Sequence, residues 1–173
     1  MKTILALLIL SQLSAVTRAQ TAFRTTSTNE NKCKTLVDAL RDGDKESDEY
    51  VGLCAGKGGY KVLVEGKELN FPVAIIHNES IVAKVKLPYE SVPAERVEWR
   101  FTKHRGKKRF HAVIYRLIDI SNNTPLQHKW VIVHLKGDDS CVVRVEEHSP
   151  EFGIEQAREI ADDKLRDCLS EFN

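Results

Sequence analysis

The chain has 173 residues, 42% of them hydrophobic and 29% charged, with a formal net charge of +1. That is enough chain for one domain, and the balanced composition excludes a long disordered tail, a collagen-like repeat and a protein with several membrane spans. A charge this close to zero gives no overall attraction to nucleic acid or to a membrane surface.

Residues 1–19 read as a secretory signal. Lys2 supplies the positive start, and residues 4–16 are apolar except for Ser11, Gln12 and Ser14. Thr17 and Ala19 place small residues at the −3 and −1 positions of a cleavage point after Ala19. The apolar run is shorter than the ~20 residues a span needs, so no membrane span is expected. Without Lys2 and Arg18 the mature chain carries 24 basic against 25 acidic residues, a net of −1. The expected location is secreted or periplasmic, where thiols oxidise.

Cys33, Cys54, Cys141 and Cys168 all follow the cleavage point, and their even number predicts two disulfides. Of the possible pairings we expect Cys33–Cys54 and Cys141–Cys168, because each pair encloses a short local unit. No pair has the C-x₂₋₄-C spacing of a thiolate zinc site.

Along the mature chain, residues 20–32 are Thr- and Asn-rich and read as a flexible leader. Residues 33–37 form a short extended candidate, and residues 38–49, with six acids, read as an exposed connection. Period-2 alternation then dominates. Strands are expected at 50–54, 60–65, 69–76, 81–87, 97–102, 109–120, 130–135 and 141–145, joined by Gly-, Asp- and Lys-rich turns. Asn78-Glu79-Ser80 and Asn122-Asn123-Thr124 read as polar turns. The period changes at the end. Ile154, Ala157, Ile160, Ala161, Leu165, Cys168 and Leu169 recur every three or four residues. They predict an amphipathic helix of roughly four to five turns, started by Ser149-Pro150-Glu151. The expected fold class is α+β: an antiparallel meander sheet of about six to eight strands, covered by one C-terminal helix, in a single domain over 33–173.

Three blocks carry a resemblance. They are CAGKGGYKVLV at 54–64, VEWR at 97–100 followed by AVIYRL at 112–117, and SCVV at 140–143 followed by AREIAD at 157–162. Together they resemble a family of small exported bacterial proteins of uncharacterised function. The resemblance implies an exported single domain and assigns no catalytic residues.

The chemistry-bearing residues are sparse. Gly56, Gly58 and Gly59 lead into a strand rather than a helix, so they lack the context of a phosphate-binding P-loop. His128 and His134 would lie about 20 Å apart on one strand, too far for one metal ion. Neighbouring carboxylates such as Asp138/Asp139, Glu146/Glu147 and Asp162/Asp163 read as solvated. No metal and no cofactor are expected. The strongest local feature is basic: between Arg96 and Arg116 stand eight Lys or Arg against the single acid Glu98. Arg100, Lys103, Arg105, Lys107, Lys108 and Arg109 are the candidate contacts, most of them at a hairpin tip whose field would attract an anionic partner. The expected function is an exported binding module for an anionic envelope component or a protein, with nucleic acid disfavoured. The alternatives are an inhibitor of an envelope hydrolase and, further off, a hydrolase of an envelope polymer that would use His77, His111 or His134 beside a carboxylate.

Overall fold

A computed structural model describes residues 21–38, 49–67, 69–121 and 127–172. The signal at 1–19, residues 39–48 of the acidic connection and the polar turn at 122–124 lie outside the described residues. The strands are β1 (Thr21–Ser27), β2 (Cys33–Asp38), β3 (Tyr50–Cys54), β4 (Tyr60–Gly66), β5 (Val73–His77), β6 (Ser80–Val85), β7 (Ser91–Pro93), β8 (Arg96–His104), β9 (Lys107–Asp119), β10 (His128–His134) and β11 (Cys141–Glu147), followed by helix α1 (Ile154–Asp162). The class is α+β, mostly antiparallel sheet with one C-terminal helix, as the sequence predicts.

The strands divide between two sheets rather than forming one. The first is a plain meander, β2-β3-β4-β5-β6. The second runs β1-β8-β9-β10-β11, with β7 pairing the far end of β9. Alternation points one face of each sheet inward, and the two inner faces make a common core. Val62, Val64, Val73, Ile75 and Val85 meet Val97, Trp99, Val113, Leu117, Val131 and Val133 there, all essentially inaccessible to water. Helix α1 lies on the outer face of the second sheet. Its buried side chains are Ala157 and Ala161, small enough for the helix to approach Ala112, Ile114, Ile132 and Val143 closely.

Several local expectations change. The segment read as a flexible leader forms edge strand β1, paired with β8 over seven residues. Thr has good strand propensity even where it buries little, and Thr26 Oγ1 accepts a 2.8 Å hydrogen bond from the buried Trp99 indole. Strand β5 starts at Val73 rather than at Leu69, whose φ is +60°. In β6 the register skips Val82, so Ile81 swings away from the core that takes Ala83 and Val85 and is left half exposed.

The helix is shorter than its apolar periodicity. Ser149 instead caps a turn through Phe152, and the helix begins after Gly153, whose N–H donates to Gln156 Oε1. It ends at Asp162, where two successive acids meet the negative end of the helix dipole and the last turn holds no basic residue. Asp163 turns the chain, accepting from the Leu165 N–H and from Arg166. Leu165 is consequently exposed. The tail returns to the second sheet: Leu169 N–H donates to the Val142 carbonyl, and Leu169 and Phe172 pack on the common core.

Both expected disulfides form. Cys33–Cys54 joins directly opposed residues of β2 and β3, and Cys141–Cys168 ties the tail to β11. Among the described residues no helix is long and apolar enough to cross a membrane. The loops closed span sequence separations of 21 and 27. Replacing either cystine by two alanines is expected to lower unfolding free energy by roughly 3 kcal/mol, read from urea titration.

Candidate functional site

The basic segment forms the predicted hairpin. Strands β8 and β9 are joined by Arg105 and Gly106, both with positive φ (+47° and +77°), the geometry of a two-residue loop matched to sheet twist. Lys103 stands opposite Lys108 and His104 opposite Lys107. Like charges in facing positions repel. Lys103, Arg105, Lys107, Lys108 and Arg109 are exposed, and among the described residues none of them has an ion-pair partner. Lys108 alone has a partial counterpart, its ammonium lying 5.3 Å from the Phe101 ring centroid.

Arg100 does not belong to this surface. It lies on the helix-covered face of β8 and is only 7% exposed. Its guanidinium makes a two-pronged contact with Asp162 at 2.6 and 3.2 Å and reaches Glu98 at 3.3 Å. Glu98, 4% exposed, is gripped in turn by Arg158 through two bonds of 2.8 and 2.9 Å. Arg158 also meets Glu155, and His111 Nε2 donates to Asp162 at 2.9 Å. A continuous chain of alternating charges thus runs from Asp162 through Arg100, Glu98 and Arg158 to Glu155 beneath the helix, with His111 hydrogen-bonded to its first member. Asp162 is therefore not the solvated carboxylate the sequence implies. Burial by itself raises its pKa, but hydrogen bonds from His111, Arg100 and Thr21, with the Arg100 charge, outweigh it and hold the carboxyl well below the usual range.

A cavity of about 240 Å³ opens where the hairpin base, the end of β10 and the end of α1 meet. Arg109, Lys136, Lys164 and Thr102 supply its polar rim, and Phe110 and Leu135 part of its apolar wall. None of the three cations has an ion-pair partner among the described residues. The carboxylates at the adjoining helix end are already engaged, Asp162 by Arg100 and His111 and Asp163 by Arg166. His111 and His134 also line the cavity, yet their ring nitrogens are closed off. His111 Nε2 is held by Asp162, and His134 Nε2 donates to the Ile160 carbonyl at 3.3 Å. Both Nδ1 atoms are buried without a partner. Burial, only partly offset by the Ile160 carbonyl, lowers the His134 pKa and keeps its ring neutral at neutral pH. The arrangement can hold an oxyanion group, but it presents no accessible imidazole nitrogen for proton transfer.

The remaining candidates are structural. His77 Nδ1 pairs with Asp138 at 2.9 Å, its ring lies 4.6 Å from that of Tyr60, and the Tyr60 hydroxyl accepts from the Gly137 N–H at 2.7 Å. Together they latch the β4–β5 side of one sheet to the β10–β11 turn of the other. Gly58 and Gly59 have φ of +65° and +90°, the conformation that glycine supplies to a tight connection into a strand. Sequence reasoning finds Arg109 but misses Lys136 and Lys164, which stand in unrelated turns. The charge chain did carry a signal: Glu98 and Arg100 are two apart on a strand, Arg158 and Asp162 four apart on a helix, with opposite signs in matching order.

Removing Glu98 leaves Arg100 and Arg158 each with one remaining carboxylate, Asp162 and Glu155, and breaking a buried pair typically costs about 3–5 kcal/mol. Glu98→Ala is expected to lose stability at the lower end of that range in urea titration. Because the Asp162 pKa is depressed in the fold, its stabilisation is present above the ordinary carboxylate range and lost as pH falls through the folded-state value. The destabilisation caused by Asp162→Asn should therefore be full at pH 7 and shrink progressively below about pH 4.

No protein-family model, no curated protein and no solved structure matches this chain.

Proposed function

We propose that this chain is an exported binding module that captures oxyanion groups, phosphate or sulfate, displayed on an anionic envelope partner. The observation that carries the reading is the convergence of Arg109, Lys136 and Lys164 on one cavity, with no carboxylate among the described residues paired to any of them. All three are exposed, and gathering three like charges around one cavity concentrates positive potential there, which a bound anion neutralises. The exposed row of Lys103, Arg105, Lys107 and Lys108 extends the same field outward, so it steers an extended polyanion toward the cavity. Arg100 is structural in this reading and contributes through Asp162, which fixes the end of the helix beside Lys164.

Two disulfides fit maturation in an oxidising compartment. The signal-like residues 1–19 and the resemblance to small exported bacterial proteins support a secreted or periplasmic protein cleaved after Ala19. Intact-mass measurement of protein from its native host should then give a chain beginning at Gln20.

Retention on a heparin matrix tests the site. The Arg109→Gln/Lys136→Gln/Lys164→Gln variant, checked for unchanged circular dichroism, should elute at clearly lower salt than the parent chain. Lys103→Gln/Lys107→Gln should produce a smaller shift, since those two charges steer from outside the cavity rather than line it. Elution of the triple variant at the parent's salt concentration would overturn the proposal.

A further inference from the structure

We infer that a second cleft, at the other end of the helix, binds a small organic anion with a flat apolar body, such as an aromatic carboxylate. The cleft has a volume of about 360 Å³ and lies between the start of α1 and the outer face of the second sheet. Ile114, Ile154 and Trp130 give it apolar walls, and Arg96 and Arg116 stand at its polar side beside the Glu98–Arg158 pair.

Three features point to the ligand. First, Glu98 and Ile114 are directly opposed on β8 and β9, so Arg96 and Arg116, each two residues further along, lie on the same face of adjacent strands. Two cations placed side by side repel each other unless an anion lies between them. Second, no carboxylate among the described residues fills that role. Both Glu98 oxygens are taken by Arg100 and Arg158, Glu95 meets Lys32, and Glu146 meets Arg144. Among the described residues neither Arg96 nor Arg116 has an ion-pair partner.

Third, each guanidinium is held against a ring. Arg116 lies 5.2 Å from the Trp130 centroid and Arg96 5.9 Å from that of Phe23. A guanidinium whose face is covered by an aromatic ring keeps its in-plane N–H donors free, and those donors match the two oxygens of a carboxylate. The His148 ring meets Trp130 edge-on at 6.3 Å and closes the apolar end, where a hydrocarbon body would rest. The cleft is about half as large again as the cavity beside Arg109, and it adds an indole and two isoleucines to the cations. That difference separates a small amphipathic anion from the bare oxyanion groups assigned to the first site.

Isothermal titration calorimetry with 2-naphthoate tests this, with the Trp130 indole N–H resonance followed by NMR. Saturable binding that shifts the Trp130 signal is expected. The neutral analogue 2-naphthalenemethanol should bind at least tenfold more weakly, as should 2-naphthoate to Arg116→Gln and to the more exposed Arg96→Gln. Lys136→Gln/Lys164→Gln should leave the affinity unchanged, which keeps this site independent of the first. Absence of saturable binding, equal affinity for the alcohol, or unchanged affinity in both arginine variants would overturn the inference.

Discussion

The position of the single helix depends on charges that have been taken out of water. Glu98 and Arg100 project from the middle of β8 on the side opposite the main core, and each would be costly to bury alone. Arg158 and Asp162 arrive from α1 with the complementary signs and geometry, one above each partner. The pairing fixes where the helix sits along the sheet, its rotation and its distance, and Ala157 and Ala161 then fill the space between. Both clefts are consequences of this arrangement. One opens beyond Asp162 at the helix end, and the other opens before Arg158 at its start.

Elsewhere the chain relies on ordinary sandwich packing closed at its margins. The inner faces of the two sheets supply the apolar area that dominates the stability of any domain this size. The Tyr60–His77–Asp138 latch and the two cystines act at the perimeter, where β pairing alone would fray. The cationic hairpin projects beyond this framework with little to restrain its tip. It combines facing lysines with a turn that forces Arg105 into the left-handed region.

Much of this was legible in the amino-acid order. The alternation in residues 60–65 and 97–102 marks β4 and β8 because a half-buried strand must alternate, and the run at 109–120, apolar on both faces, marks β9 as a strand covered on both sides. What alternation does not state is what covers the other face. Val97-Glu98-Trp99-Arg100-Phe101 has the pattern of a strand with a wet outer side, yet that side is roofed by α1 and its charges are neutralised there. The split into two sheets is equally silent, since a strand has the same period whichever sheet it joins. Strand β1 was hidden for a different reason: its Thr-rich sequence buries little and gains its order from pairing with β8. Apolar rhythm overstates the helix because Leu165 and Cys168 keep the period while Asp162 and Asp163 end the hydrogen-bonded ladder. Of the first cavity, only Arg109 lay in a recognisable cluster. Lys136 and Lys164 reach it through tertiary structure alone.

The return of the tail to β11 has a consequence for how the molecule behaves toward its own copies. Strand β11 is an edge of its sheet, and an open edge offers unpaired amides to any neighbouring strand. Here the Leu169 N–H occupies one of those carbonyls, while Leu169 and Phe172 plug the seam and Cys168 keeps the plug in place. Reduction of that single bond would release the stopper together with the edge beneath it. The event that loosens the chain would therefore also uncover a strand edge whose free amides can pair with another strand.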